Sequence, residues 1–114
     1  MKTRSIIKGG AAALLLVAAP LALAEGDAAA GAKKRSLCEG CHGIVGYHTA
    51  FPAVYHVPKL GGQHAAYLVK ALQEYRTGER SHPSMRAIAA GLSDQDMADL
   101  AAYYAAGGDQ TASK

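Results

Sequence analysis

The stretch Ser36-Leu37-Cys38-Glu39-Gly40-Cys41-His42-Gly43 decides how this sequence is read. Cys38 and Cys41 are the chain's two cysteines, and His42 follows at once. On a helical turn, positions three apart share a face, so both thiols can address one flat group. The adjacent imidazole can then swing beneath that group and offer it a ring nitrogen. Gly40 and Gly43 leave room for a planar ligand close to the backbone. Three other readings compete. A structural zinc site needs four ligands, and a second paired cluster is missing. A thioredoxin-like redox pair belongs beside a β-α-β pattern, and no convincing strands are found. A short-loop disulfide is chemically reasonable in an exported protein, but it would not explain His42. The pattern C-x-x-C-H is the attachment signature of c-type haem, which is the expected cofactor, one per chain.

The rest of the composition agrees. The chain has 114 residues, enough for one small domain. It has one Phe and no Trp, and much of its 50% hydrophobic content is alanine. Such small side chains struggle to fill a core without a cofactor, metal, disulfide or partner. The net charge is +3, but residues 1–24 hold Lys2, Arg4 and Lys8 with no acid. The remaining 90 residues balance 9 basic against 9 acidic groups, which removes any nucleic-acid footprint.

Residues 1–24 read as a cleaved secretory signal: a basic start, an uncharged stretch from Gly9, and Ala22-Leu23-Ala24 before Glu25. The 16 uncharged residues from Gly9 to Ala24 include Gly9, Gly10 and Pro20, a poor match to a spanning helix of about 20 apolar residues. The expected organisation is this leader, a domain over 25–108 and a frayed polar tail over 109–114. The expected destination is the periplasm, as a soluble protein with no stable membrane insertion.

The domain reads as all-α. A first helix is expected over about 27–40, with Lys33, Lys34 and Arg35 on a solvated face. Residues 43–62 lack periodicity and carry Gly43, Gly46, Pro52, Pro58, Gly61 and Gly62, so they form a long loop. Its Tyr47, Phe51, Val54, Tyr55, Val57 and Leu60 offer apolar contacts to a cofactor. Helices follow over 63–77, with Tyr67 and Tyr75 as core residues, and over about 84–90. In the last helix Ser93 and Asp96 make an acidic variant of the capping box, and Met97, Leu100, Ala101 and Tyr104 form the buried stripe.

A haem held by His42 leaves one axial position. Met97 lies mid-helix on an apolar face and reads as core packing. Met85 follows the break Ser81-His82-Pro83-Ser84 and is the expected distal ligand, because Met/His ligation is the electron-transfer arrangement. His48, His56, His64 and His82 are the rivals, with His82 the strongest.

The runs Cys38 to Gly43, Pro58-Lys59-Leu60-Gly61-Gly62-Gln63, Met85, and Ile88 to Asp94 through Ala101-Ala102-Tyr103-Tyr104 resemble the class I c-type cytochromes. The likeness is to small bacterial periplasmic monohaem members and to one half of the dihaem members. The resemblance implies about four helices wrapped around one covalent haem. It implies thioethers at Cys38 and Cys41, with His42 proximal and Met85 distal. It also implies the Pro58 carbonyl on the other imidazole nitrogen, and first and last helices crossing where Ala30 or Gly31 meets Tyr103 or Tyr104. The loop from Tyr47 to Val57, with its two Tyr-His steps, has no counterpart in that pattern. The function implied is an electron carrier rather than an enzyme, a monomer meeting redox-partner proteins transiently. A haem subunit of a larger oxidoreductase is the alternative, or a ligand-binding haem sensor should Met85 not bind iron. No Ser-His-Asp set, phosphate loop or carboxylate pair suggests ordinary catalysis.

Overall fold

Asp27 starts the described fold by capping its first helix. Its Oδ1 accepts from the N–H groups of Ala29 (2.8 Å) and Ala30 (3.3 Å), which would otherwise be unpaired at a helix start. The computed structural model describes residues 25–50 and 54–108. The leader, Phe51 and the tail therefore lie outside the described residues.

The order is α1 (Ala28–Lys34), α2 (Ser36–His42), β1 (His48–Thr49), β2 (Tyr55–His56), α3 (Ala65–Thr77), α4 (Pro83–Ala90) and α5 (Asp94–Ala105). The single helix expected over 27–40 is in fact two. Arg35 keeps helical angles, but its carbonyl accepts from both Cys38 (2.8 Å) and Glu39 (2.9 Å). The hydrogen-bond ladder thus tightens at that point, and C-x-x-C-H sits on a helix of its own. The long loop also holds more order than expected. β1 and β2 pair antiparallel, with His48 opposite His56 and Thr49 opposite Tyr55.

The helix ends follow their residues. Gly78 closes α3 at φ 88°, a left-handed angle that suits glycine. Pro83 opens α4, where its missing N–H costs nothing. Ser93 and Asp96 exchange side chain-to-backbone bonds at 3.0 and 2.9 Å, the capping box read from the sequence.

The core gathers Leu68, Ala89, Leu92, Met97, Leu100, Ala101 and Tyr104, with α5 at its centre. Met97 is fully buried, as the sequence indicated. Tyr75 packs against this core, but Tyr67 does not: its ring is 48% exposed and lies beneath Arg80, whose guanidinium stands 5.7 Å from its centroid. Arg80 is also tied to Glu74 (3.2 Å) and to the Tyr67 hydroxyl (3.4 Å), which anchors the turn between α3 and α4.

α1 crosses α5 at very close range, as expected. A Cβ on Gly31 would fall 2.0 Å from the Asp99 carbonyl oxygen and 2.8 Å from Tyr103 Cβ. The crossing is locked by charge. Asp99 is buried, and it accepts from Lys34 Nζ (2.8 Å), the Asp27 N–H (2.9 Å) and Gln95 Nε2 (2.8 Å). Lys34 also reaches Asp96 at 2.6 Å, so it is a bridge between helices and not part of a solvated face. The Lys34 ammonium chiefly holds the Asp99 and Asp96 carboxyls down at about 2. An ordinary carboxylate titrates near 4, so the unfolded chain binds protons first as pH falls. The stabilisation is complete above about pH 5 and fades between roughly pH 4 and 2. Denaturant melts of the wild type are expected to show that acid slope, and Asp99→Asn to flatten it.

Candidate functional site

α2 is short, and it carries both thiols and the imidazole. Cys38 is half-buried and packs against the core, while Cys41 is exposed one turn on. No disulfide joins the two sulfurs. Burial pushes the Cys38 thiol above its ordinary value, and a hydrogen bond from Tyr104 pulls it the other way. His42, half-buried, is the last residue of the helix, and Gly43 caps it through an N–H bond to the Glu39 carbonyl.

His42 Nδ1 lies 2.7 Å from the Pro58 carbonyl oxygen. A carbonyl can only accept, so Nδ1 carries the proton and donates. That leaves Nε2 with its lone pair exposed to a ligand, its tautomer and ring plane fixed from behind. Pro58 is held in turn by the loop that leads to α3. There the Gln63 N–H donates to Leu60 (3.2 Å) and the Gly62 N–H to Tyr104 (2.9 Å).

Met85 lies on another element, half-buried in the first turn of α4. The link is the core: Cys38 and Ile88, one turn beyond Met85, both pack against the same cluster. Of the rival histidines, His82 is committed elsewhere. Its Nδ1 accepts the Met85 N–H at 3.3 Å and so caps the helix that presents Met85. Its ring stands edge-on to Tyr55 (5.1 Å) and Tyr75 (6.5 Å). His64 is exposed at the start of α3, and His48 and His56 face each other on the ribbon. Val54 is 79% exposed, and Tyr55 turns toward His82. Leu60 does pack against the core. The sequence had also given no sign of Asp99 as a buried group, nor of His82 as a cap.

The donor set fits haem c. Two thiols one helical turn apart, an imidazole Nε2 with a free lone pair and a thioether on a separate helix are the groups that attachment and ligation require. Half-buried apolar side chains from several elements, among them Leu60, Leu72, Tyr75 and Ile88, pack against the same core as Cys38. A short all-α fold with this donor set defines a c-type cytochrome. The family model for cytochrome c matches residues 24–105, and the chain belongs to that family. It is 45% identical over 85 residues to cytochrome c4 of Pseudomonas aeruginosa, covering 75% of this chain and 40% of that protein. It is 46% identical over 82 residues to cytochrome c-554(548) of Halomonas halodenitrificans, covering 69% of this chain and 94% of that protein. A crystal structure of reduced recombinant cytochrome c4 from Pseudomonas stutzeri superposes with a TM-score of 0.55 at 34% identity, over 71% of this chain and 50% of that one. The chain thus spans about two-fifths of the length of the Pseudomonas aeruginosa cytochrome c4 that it matches. Its cofactor is covalently bound haem c.

Proposed function

We propose that this chain is an exported electron carrier of the periplasm, with thioethers at Cys38 and Cys41 and axial ligands from His42 and Met85. When bound, haem c supplies a one-electron ferric/ferrous couple. The observation that carries the reading is the 2.7 Å bond from His42 Nδ1 to the Pro58 carbonyl. It presents Nε2 as a ligand and raises the electron density that the imidazole offers. Met85 would supply the second ligand to the iron. A thioether there favours the reduced state relative to a second histidine. With His42 and Met85 both bound, the iron would keep no open site for substrate or oxygen.

The leader over residues 1–24 would direct export, and no described helix is long and apolar enough to cross a membrane. The chain beyond the leader balances 9 acidic against 9 basic residues, which suits brief encounters with redox-partner proteins that salt alters modestly. Carbon monoxide tests the reading. The ferrous protein is expected to keep its spectrum unchanged under the gas. A prompt spectral shift would mean an open or weakly held distal position, and would favour a ligand-binding role.

A further inference from the structure

The ribbon between α2 and α3 carries none of Cys38, Cys41, His42 and Met85, yet it has a definite arrangement. The Val57 N–H donates to the Tyr47 carbonyl at 3.0 Å, so the next pair inward, His48 and His56, is a non-hydrogen-bonded pair. Side chains at such pairs stand closer together than at any other position of an antiparallel ladder. Alternation then splits the ribbon into two faces. Tyr55, on one face, sets its ring edge-on to His82 at 5.1 Å, and this contact ties the ribbon to the start of α4. His48 and His56 take the other face, and both are exposed.

Their ring centroids are 4.3 Å apart and the planes stand at 82°. Among the described residues, no hydrogen bond or ion pair occupies a ring nitrogen of either imidazole. Two imidazoles at right angles on one ion, each with a metal–nitrogen bond of about 2.0 Å, would place their centroids about 4.5 Å apart, and a tetrahedral ion would set them about 5 Å apart. Closing on an ion therefore needs a side-chain rotation, with the backbone already in place. Neutral imidazole is the ligand that Zn(II), Cu(II) and Ni(II) accept well, with Cu(II) the strongest of the series.

We propose that His48 and His56 form a two-imidazole chelate for a first-row divalent transition-metal ion on the outer face of this ribbon, separate from the haem. Water completes the coordination, since the described residues of that face offer two protein donors.

Copper titration of the haem-loaded protein tests this. The ferric form is used, so that the haem has no electron to give to Cu(II). Isothermal titration is expected to show one tight Cu(II) per chain. His48→Asn and His56→Asn should each weaken it by at least about tenfold, while His64→Asn, on an exposed histidine elsewhere, should leave it unchanged. The haem absorbance of each variant reports whether it has folded. The electron paramagnetic resonance spectrum of Cu(II) on the wild type should show two imidazole nitrogens, a readout that needs no variant. A copper spectrum without paired imidazole nitrogens would overturn the proposal. So would affinity retained within twofold in both ribbon variants.

Discussion

Gly31→Ala is expected to destabilise the fold severely, although alanine is the better helix former. In an exposed helix the exchange would gain up to about 1 kcal/mol. Here the added Cβ would lie 2.0 Å from the Asp99 carbonyl oxygen and 2.6 Å from its carbon, both backbone atoms that cannot swing aside. α1 must lift away from α5. That movement also pulls Lys34 and the Asp27 N–H away from Asp99, leaving a buried carboxylate with fewer partners. The overpacking alone places the cost at about 3 kcal/mol, the upper end for such changes. For a domain of this size each kcal/mol moves the melting midpoint by about 4–8 °C. A thermal melt followed by circular dichroism should show a fall of at least about 12 °C. An unchanged or raised midpoint would mean that the two helices do not cross at Gly31.

The second large effect separates two methionines. Met85→Ala is expected to leave most of the fold in place while opening the distal position. The ferrous variant should bind carbon monoxide, and its reduction potential should fall on the order of 100 mV, a fraction of the roughly 0.8 V that axial ligands span. Met97→Ala should do the reverse. Met97 is fully buried in the core, so truncation costs about 2–5 kcal/mol, yet the ferrous protein should still ignore carbon monoxide. Should Met85→Ala match the wild type in both potential and gas binding, the distal ligand would be another residue. His82 would not be the simple substitute, because its Nδ1 already caps α4 at 3.3 Å from the Met85 N–H.

The residues that carry strong local chemistry were legible in the sequence. C-x-x-C-H announced a helical turn with both thiols on one face, though not the separate helix that holds Cys38, Cys41 and His42, and Ser93 with Asp96 announced the start of α5. Met97 was legible as core because it falls on the apolar stripe of a long, well-capped helix. The close crossing at Gly31 and the Pro58 bond to His42 came through resemblance, since neither leaves a periodic signal.

What stayed hidden depends on contacts between distant segments. Asp99 carries no local sign of burial, and its partners Lys34 and the Asp27 N–H lie 65 and 72 residues away. Lys34 looks like one of three solvated basic residues until Asp96 and Asp99 are brought to it. Tyr67 has helical spacing with the core residues, but Arg80 folds back over its ring and keeps it at the surface. Strands of two residues are too short to show alternation, so β1 and β2 were invisible, and with them the facing of His48 and His56. The break at Arg35 leaves no residue signature either, because its backbone angles remain helical.

The account rests on a covalent haem held between His42 and Met85, and absorption spectroscopy addresses it most directly. The protein would be exported from cells able to attach haem, and its ferric and ferrous spectra recorded after denaturing extraction has removed any loosely held haem. The expected result is a c-type spectrum that survives extraction, together with the weak methionine-to-iron band in the native ferric form. Absence of covalent haem, from cells that mature a control cytochrome normally, would contradict the account at its centre.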